Sequence, residues 1–365
     1  MDTTDPDIRF DENGYCNHCT RALKNLEKLR FDSDLAREHT LKQLVDKIKR
    51  AGQSKKYDCV IGLSGGVDSS YLAYVAVREL GLRPLAIHVD NGWNSELAIM
   101  NIENIVKKLN IDLITWVIDW EEFKDLQIAY LKSSVIDLEV LSDNAILVAI
   151  DKLMRGNGIK YFLIGNNYNA ESIMPSSWQF ALKYDSLNIK AIYNKYGSGK
   201  KLSTYPLLSF WGYIRYRYYN KSIGANILDL VPYLKADAIN ILKSELDWRD
   251  YGGKHHESKI TQFYQAYLLP AKFNVDKRKA HLSSLICSGQ LTREQALIEL
   301  KNPLYIEAKL NEDKEYFMKK LDFSNTEFEA IMSIPIRKHF DFDSYSKWHV
   351  RLGSFAKKYL GWKGK

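Results

Sequence analysis

Residues 64–70, with the sequence SGGVDSS, place two glycines among serine hydroxyls and a carboxylate. They follow the apolar run DCVIGL and open a helical pattern at about 67–80, which predicts a strand running into a helix. A helix N-terminus presents unpaired N–H donors and a partial positive charge, and glycines let a ligand approach the backbone closely. The segment therefore predicts an anion site, and a diphosphate suits it best. The predicted site consists of Ser64, Gly65, Gly66, Val67, Asp68, Ser69 and Ser70.

The plain alternative for this segment is a glycine turn followed by a Ser/Asp helix cap. Two other phosphate-binding loops are excluded here by spacing, since neither G-x-x-x-x-G-K-[ST] nor G-x-G-x-x-G is present in the segment. The stretch YGSGKKLS at 196–203 comes closer to the first pattern, but Asn194 and Lys201 stand at two of its required positions. We expect a mobile basic loop there.

The rest of the chain indicates an α/β protein. Its 365 residues, 45% of them hydrophobic, suffice for two or three packed units. Short apolar runs (DCVIGL, LAIHVD, DLITWVI, YFLIGN) alternate with helical patterns at about 67–80, 95–109 and 143–156. This alternation predicts a doubly wound parallel sheet covered on both faces. We expect three regions: a cysteine-containing segment with an amphipathic helix (1–50, the helix at 23–50), the sheet domain with an aromatic and basic insertion at about 172–225 (51–250), and a helical domain (251–365).

The net charge of +7 is spread along the chain and suits phosphorylated ligands at least as well as nucleic acid. No apolar run approaches the length of a membrane span, and the acidic start is unlike a signal or transit peptide. We therefore expect a cytoplasmic protein with no membrane partner. Tyrosines interleave with Arg215, Arg217 and Lys221, so this patch either stacks on bases or sugars, docks a partner, or packs in a core.

Two of the four cysteines have the spacing Cys16-x-x-Cys19, which is common in zinc sites. Two thiolates do not complete a tetrahedron, so histidines must complete a structural site. The available histidines are His255, His256 and His281, and we take His255 and His281 as the third and fourth ligands. A redox pair or two unpaired thiols are the alternatives. We expect Cys59 and Cys287 to be buried small hydrophobic residues.

The SGGxDS motif resembles the PP-loop of the ATP pyrophosphatase superfamily, whose adenine nucleotide alpha hydrolase-like fold binds ATP, adenylates a substrate oxygen and releases pyrophosphate. AIHVDNGW at 86–93 resembles that superfamily's second strand, ending at Asp90. LIGNNYNAES at 163–172 resembles its later G-x-N motif, with a downstream glutamate. The resemblance implies that Asp68, Asp90, Asn166 and Glu171 orient ATP and Mg²⁺, although single acidic residues at strand ends are often helix caps.

Three further stretches resemble the N-acetyl sugar amidotransferases of surface-polysaccharide and lipopolysaccharide O-antigen synthesis. They are MDTTDPDIRFDENGYCNHC at the start, WRDYGGKHHESKITQFYQAYLLPAKF at 248–273 and DKRKAHLSSLICSGQLTREQAL at 276–297. The resemblance implies conversion of an acetamido group on a nucleotide-linked or free sugar into an acetamidino group. It also implies ammonia from a partner glutaminase of the imidazole glycerol phosphate synthase type, working with its barrel-type cyclase relative.

Cations near the triphosphate would stabilise the departing pyrophosphate, and Lys254, Lys277 and Arg278 are candidates that could equally be surface residues. Asp68 completes the candidate catalytic set. Two other functions remain open. A PP-loop enzyme that thiolates tRNA would need a cysteine placed to handle sulfur or an RNA-binding appendage. A catalytically silent scaffold for a glutaminase complex would have no use for the intact SGGxDS motif.

Overall fold

The computed structural model describes residues 1–216, 222–251, 257–345 and 347. Several residues singled out from the sequence lie outside this part of the chain. They are Arg217, Lys221, Lys254, His255 and His256. The predicted zinc ligand His255, the predicted catalytic cation Lys254 and part of the basic patch are therefore not placed.

Five parallel strands form the sheet of the described residues, in the order β3-β2-β1-β4-β5. Their bounds are Cys59–Gly62 (β1), Pro84–Asp90 (β2), Asp112–Val117 (β3), Tyr161–Leu163 (β4) and Ile223–Ala225 (β5). The order reverses at β1, since β2 and β3 lie on one side of it and β4 and β5 on the other. Ligands bind at the carboxyl ends of strands beside such a reversal, and SGGVDSS follows β1. The predicted doubly wound parallel sheet is confirmed.

Alternating side chains of the strands explain why helices cover both faces. On β1, Cys59 and Ile61 join one buried cluster and Val60 joins the other. The first cluster includes apolar residues of α2 (Asp34–Gly52), α3 (Val67–Tyr74), α4 (Glu96–Leu109) and α10 (Lys235–Leu246). The second contains Ala149, Ile150 and Met154 of α6 (Val140–Gly156). Cys59 is fully buried, as predicted from the sequence.

Other helices lie along the rest of the chain. Before the sheet comes α1 (Asn17–Lys28), and between strands come α5 (Trp120–Ser133), α7 (Tyr168–Glu171), α8 (Ser186–Tyr196) and α9 (Phe210–Ile214). After α10 follow α11 (Lys259–Phe263), α12 (Leu269–Phe273), α13 (Lys277–Cys287), α14 (Arg293–Lys301), α15 (Glu307–Lys320) and α16 (Asn325–Ser333). The helical character expected beyond residue 251 is confirmed for the described residues. No helix among these residues is long and apolar enough to cross a membrane.

Two details differ from the sequence-based prediction. The single helix expected at 23–50 is two helices, because Ser33 accepts a hydrogen bond from the Ala36 N–H at 3.2 Å and starts α2 there. Helix α5 was not predicted, although its buried residues Phe123, Leu126 and Tyr130 have helical spacing. One difference is an extra helix boundary and the other is an additional helix. Neither changes the order of the strands.

Packing divides the chain into two compact units built from interleaved segments. The first contains residues 1–117, 149–179 and 221–317, and the second contains 118–148, 180–220 and 318–365. The sheet and every candidate site residue that the structure describes belong to the first unit. The linear division into 1–50, 51–250 and 251–365 remains a prediction.

Candidate functional site

Gly65 shapes the loop that follows β1. Its φ of +79° lies in the left-handed region that favours glycine. A Cβ at this position would lie 2.5 Å from the carbonyl oxygen of Ala98 and 3.0 Å from its Cα. Since those atoms belong to the backbone of α4, they cannot move aside cheaply. The tight packing of the loop on α4 therefore requires glycine at position 65.

Serine hydroxyls fix the loop and line its outer side. The hydroxyls of Ser64 and Ser69 lie 3.1 Å apart, and the Gly66 N–H donates to the Ser64 hydroxyl at 3.2 Å. Ser64 is exposed and Ser69 half-buried, so both hydroxyls can reach a ligand. Ser70 is fully buried, and its hydroxyl donates to the Gly66 carbonyl at 2.6 Å. Ser70 therefore stabilises the loop rather than facing a ligand.

Aromatic residues on both sides of α10 contact the loop, a feature that the sequence analysis missed. The indole N–H of Trp248 donates to the Gly65 carbonyl at 2.9 Å. The hydroxyl of Tyr251 accepts a hydrogen bond from the Val67 N–H at 3.0 Å, and the hydroxyl of Tyr233 donates to the carboxylate of Asp68. Burial and the nearby charge of Glu257 raise the pKa of Tyr251, and burial and the nearby charge of Asp68 raise the pKa of Tyr233. Both hydroxyls therefore stay protonated. The sequence signal was the stretch WRDY at 248–251.

Asp90 lies at the carboxyl end of β2, next to the loop's strand. Its carboxylate accepts from the Gly92 N–H at 2.9 Å and from the side-chain amide of Asn94 at 3.0 Å. The Asn94 amide also lies 3.0 Å from Nε2 of His88, whose Nδ1 lies 2.9 Å from the Leu63 carbonyl oxygen. An amide donor at Nε2 requires the proton on Nδ1, so His88 joins the ends of β1 and β2. These contacts hold the half-buried Asp90 in place at the strand end.

The segment after β4 completes the carboxyl edge of the sheet. The amide of Asn166 donates to the carboxylate of Glu171 at 2.7 Å. Gly165 backs onto the loop, since a Cβ there would lie 3.7 Å from the backbone of Ser69. Asn166 is exposed and Glu171 half-buried. The structure thus brings Asp68, Asn166 and Glu171 to one part of the sheet edge.

This arrangement suits the phosphates of a nucleotide. Gly66 is the N-cap of α3 and supplies no capping side chain, but the Tyr251 hydroxyl accepts the Val67 N–H, and a Cβ at Gly66 would lie 3.4 Å from a carboxylate oxygen of Glu257. A phosphate that binds at this helix N-terminus would take the place of these groups. Exposed serine hydroxyls add further donors. The described residues contain no group of three or more His, Cys, Asp or Glu placed to hold a metal ion. Mg²⁺ normally takes one or two carboxylates and completes its shell with phosphates and water, and Asp68 and Asp90 fit that role.

The predicted cations of α13 have different surroundings. Arg278 forms an ion pair with Asp276 at 2.8 Å and donates to the Asn302 carbonyl at 2.8 Å, so its guanidinium holds the start of the helix. The ammonium of Lys277 lies 5.4 Å from the ring centre of Tyr264. Helix α13 packs on α7, which carries Glu171. These contacts favour a structural role for Arg278. Of the two predicted cations of α13, Lys277 therefore remains the candidate for stabilising the departing pyrophosphate.

The predicted set of zinc ligands is not assembled by the described residues. The thiols of Cys16 and Cys19 do meet, with their sulfurs 3.3 Å apart. His281 is not grouped with them, and its Nδ1 lies 3.0 Å from the carbonyl oxygen of Ala170 on α7. The expectation that Cys287 is buried is wrong, since it is half-exposed and its thiol interacts with that of Cys19.

Two further sequence features have structural roles within the second unit. Tyr213 is buried and stacks on Tyr345, with ring centres 4.3 Å apart, so this part of the aromatic patch is core. The basic loop at 196–203 is anchored by carboxylates. Asp125 accepts from the Ser198 N–H at 3.0 Å, and Glu122 accepts from the Ser203 N–H at 2.7 Å. These N–H groups are therefore committed to the protein's own carboxylates rather than to a phosphate.

Comparison with known protein families identifies two regions of the chain. Residues 37–137, which include the loop, match the NAD synthase family. Residues 257–353 match the C-terminal domain of WbpG-like lipopolysaccharide biosynthesis proteins. Each match covers a different part of the chain, and the two do not overlap.

Individual relatives align over less than a third of this chain or share the fold only distantly. An uncharacterised protein of Methanocaldococcus jannaschii is 28% identical over 110 residues, which are 29% of this chain and 36% of that protein. The glutamine-hydrolysing GMP synthase of Wigglesworthia glossinidia brevipalpis is 28% identical over 104 residues, 28% of this chain and 19% of that protein. The chain thus spans well under two thirds of either curated relative.

Two solved structures are also similar. NMN synthetase from Francisella tularensis has a TM-score of 0.34 and 13% identity, with 71% of this chain and 95% of that chain covered. NH3-dependent NAD synthetase from Campylobacter jejuni, in complex with nitrate, has a TM-score of 0.31 and 16% identity, with 74% and 99% covered. The loop geometry, the sheet order and the two family matches agree with the resemblance drawn from SGGVDSS. The chain therefore joins a PP-loop domain of the NAD synthase family to a WbpG-like C-terminal domain of lipopolysaccharide biosynthesis.

Proposed function

We propose that the protein is a cytoplasmic ATP-dependent amidotransferase that converts the N-acetyl group of a nucleotide-linked sugar into an acetamidino group for surface-polysaccharide synthesis. The observation that carries the proposal is the joining of a PP-loop to a WbpG-like domain in one chain. The loop supplies a site for the phosphates of ATP, and the second domain links the chain to the chemistry of cell-surface sugars. An ATP-utilising amidotransferase is the role that both matches support.

The reaction makes an amide carbonyl reactive in two steps. The carbonyl oxygen attacks the α-phosphorus of ATP, the amide N–H proton is lost, and pyrophosphate leaves to give an O-adenylyl imidate. Ammonia then adds to the imidate carbon and AMP leaves with the oxygen. The products are therefore an acetamidine, AMP and pyrophosphate. Bound Mg²⁺ would neutralise phosphate charge during the first step.

The chain's own residues contribute positioning and charge stabilisation. The N-terminus of α3 and the hydroxyls of Ser64 and Ser69 lie where the departing pyrophosphate would need donors. The hydrogen bond from Tyr233 holds the carboxylate of Asp68 at the same corner. Water must be excluded from the imidate, because its attack would regenerate the amide. The aromatic residues around the loop suit that requirement.

A cleft of about 640 Å³ beside the loop is our candidate for the sugar-nucleotide site. Tyr233, which bonds Asp68, forms part of its wall, so the cleft reaches the loop. Arg30 and Arg37 line another part. Arg37 pairs with Asp34 at 2.8 Å, so Arg30 is our candidate for binding a diphosphate. Phe31 adds an apolar surface for a base or a sugar ring. We propose that the nucleotide-linked acceptor binds in this cleft, with Tyr233 as the residue that contacts both the cleft and Asp68.

We further propose that ammonia comes from a separate glutaminase of the imidazole glycerol phosphate synthase type, together with its barrel-type cyclase relative. None of the four cysteines of the sequence lies in a G-x-C-x-G elbow. One matched relative is glutamine-hydrolysing by name, which supports ammonia as the nucleophile.

The decisive experiment incubates the purified chain with candidate UDP-linked N-acetyl sugars, ATP, Mg²⁺ and ammonium chloride. We expect sugar-dependent pyrophosphate release and a product about one mass unit lighter, because NH replaces oxygen. Formation of ADP and orthophosphate instead would refute the proposal. Arg30→Gln tests the cleft, since it should raise KM for the sugar about tenfold and leave KM for ATP unchanged. The matched control is Lys28→Gln, which carries an exposed cation on the neighbouring turn.

A tRNA-thiolating enzyme remains a weaker candidate. Cys59 is fully buried in β1, so its thiol is not available to handle sulfur. The buried Tyr213 is not available to stack on bases. Tight, salt-sensitive binding of tRNA together with sulfur transfer would favour this function over the first.

A further inference from the structure

The WbpG-like region of the chain begins at the phosphate loop, because the matched residues start at Glu257. A Cβ on Gly66 would lie 3.4 Å from Oε1 of Glu257, 3.1 Å from the hydroxyl oxygen of Ser64 and 3.2 Å from that of Tyr251. Gly66 is the N-cap of α3, so three side-chain oxygens converge on the N-terminus of this helix. One of the three belongs to a carboxylate, at the place where phosphate oxygens would bind.

The charge of Glu257 acts at this corner of the sheet. Burial and then the charge of Glu257 raise the pKa of the Tyr251 hydroxyl, and Oε2 of Glu257 is buried. A negative charge is favourable at a helix N-terminus while no ligand is bound. A phosphate that enters the loop would bring further negative charge to the same donors.

Backbone hydrogen bonds tie the start of the WbpG-like region to the segment that follows β2. The Ser95 N–H donates to the Glu257 carbonyl at 2.9 Å, and the Lys259 N–H donates to the Trp93 carbonyl at 3.0 Å. An antiparallel bridge lies between these two bonds, and Trp93 is buried. An entering phosphate can therefore turn the side chain of Glu257 aside but cannot carry the residue away. The carboxylate stays within the roughly 8 Å over which charges interact at physiological salt.

We propose that Glu257 makes the loop selective for the magnesium complex of ATP over the metal-free nucleotide. The phosphates of metal-free ATP carry several negative charges, which the carboxylate repels at this distance. Mg²⁺ on the phosphates lowers their charge and attracts the carboxylate. The first residue of the WbpG-like region thus sets the specificity of the nucleotide site in the other domain. The inference rests on the nucleotide site of the proposed function and not on the identity of the sugar.

Calorimetric titration of the purified full-length chain with α,β-methylene-ATP, which cannot release pyrophosphate, tests this role without turnover. One titration contains EDTA and the other contains excess Mg²⁺. Glu257→Gln should bind the metal-free analogue about tenfold more tightly and its magnesium complex about tenfold more weakly. Glu245→Gln, which removes an exposed carboxylate of α10, should keep both affinities within about twofold. Equal shifts of both affinities in Glu257→Gln, or no shift, would overturn the proposal.

The unaltered chain provides a second test, which holds even if Glu257→Gln does not fold. It should bind the magnesium complex at least about thirtyfold more tightly than the metal-free analogue, and Glu257→Asp, which keeps the charge, should retain this preference. Equal affinity of the unaltered chain for the two forms would overturn the role of Glu257 and leave the loop as a nucleotide site. Binding of neither form would overturn that role together with the proposed nucleotide site.

Discussion

The loop after β1 and the interior of the second unit use polar residues in opposite ways. At the loop, uncharged hydroxyls and N–H groups predominate, and Ser64 is open to solvent. In the second unit, the fully buried Asp137 accepts from the Phe180 N–H at 2.7 Å and pairs with Lys183 at 2.6 Å. His339 lies in the same interior, stacked on Phe180 with ring centres 4.4 Å apart.

Groups with shifted pKa values occur in both regions, at Tyr233 and Tyr251 beside the loop and at Lys183 and His339 in the second unit, so a shifted pKa does not by itself mark the functional site of this chain. Burial lowers the pKa of His339 to about 4. Burial alone would lower the pKa of Lys183, but Asp137 and Asp143 raise it overall. Shifted groups often indicate catalysis, yet Lys183 and His339 belong to a buried network, in which Nδ1 of His339 lies 3.1 Å from the side-chain oxygen of Asn188. The loop needs hydrogen-bond donors that a phosphate oxygen can reach. A buried network stabilises the fold because its donors are bonded within the protein.

Lys183→Met should have the largest effect, and only on stability. The change leaves Asp137 buried without its cation, which typically costs about 3–5 kcal/mol. Urea denaturation should show this loss, while pyrophosphate release per folded molecule stays within about two-fold. Lys190→Met, an exposed position on α8, the helix that begins three residues after Lys183, should change stability by less than about 0.5 kcal/mol. A large loss of turnover in folded Lys183→Met would break the contrast between the two regions.

Gly65→Ala should have the opposite signature, with a loss of activity exceeding its effect on stability. The added Cβ would meet the backbone of Ala98 at 2.5 Å and displace the loop. A displacement of about 1 Å at a phosphate site costs roughly 100-fold in rate. Gly62→Ala is the control, because a Cβ there meets nothing within 4 Å. If Gly65→Ala released pyrophosphate at the normal rate, the loop would not be the site of the reaction.

His339 should make the second unit sensitive to acid. Its folded-state pKa of about 4 lies below the 6.5 of the unfolded chain, so the stability it contributes is complete above pH 6.5 and is lost as the pH falls toward 4. Between pH 7 and 5 the free energy of unfolding of the unaltered chain should fall by about 2 kcal/mol more than that of His339→Phe. Asp137 and Lys183 face the ring from neighbouring elements. His39→Gln, at an exposed position of α2, should behave as the unaltered chain does, and an equal loss in His339→Phe would assign the acid sensitivity to other groups.

Local patterns made most of the loop and sheet predictable. SGGVDSS with its flanking apolar runs predicted the strand, the loop and α3, because each feature depends on neighbouring residues. The strand runs ending at Asp90 and Asn166 were found in the same way. Parallel strands then bring these ends to one edge, so the neighbourhood of Asp68, Asn166 and Glu171 followed from the fold class.

Long-range contacts were not predictable in this way. The approach of Cys287 to Cys19 depends on how α13 packs against α1, and the apolar spacing of either helix does not specify a partner. Trp248 and Tyr251 reach the loop from 183 and 184 residues away. A hydroxyl on a buried aromatic ring needs a partner, but the sequence does not say which. By contrast, the sequence does carry signals for two features that were missed. Ser33 is a favourable N-cap for α2, and the apolar residues of α5 have helical spacing.

Tyr251→Phe should have the smallest effect of the four variants, a change in KM for ATP whose direction is informative. In the structure the Tyr251 hydroxyl accepts the hydrogen bond of the Val67 N–H, a donor in the first turn of α3. A phosphate oxygen would compete with that hydroxyl for the same donor. Removing the hydroxyl should therefore lower KM for ATP by about threefold, because one neutral hydrogen bond is worth about 1 kcal/mol. The rate at saturating ATP should not change.

Steady-state pyrophosphate release at varied ATP measures this effect, with Tyr74→Phe as the control for loss of a hydroxyl on α3 itself. The direction distinguishes two roles for the ring. A lower KM means that the hydroxyl protects the Val67 N–H until ATP displaces it, so that the open donors of the loop exist only in the ligand-bound state. A KM that rises about tenfold means that the hydroxyl itself binds the nucleotide. In that case the Val67 N–H stays bonded to Tyr251 when the nucleotide binds, just as the donors around Asp137 stay bonded within the protein. The contrast between the two regions then does not hold at this residue.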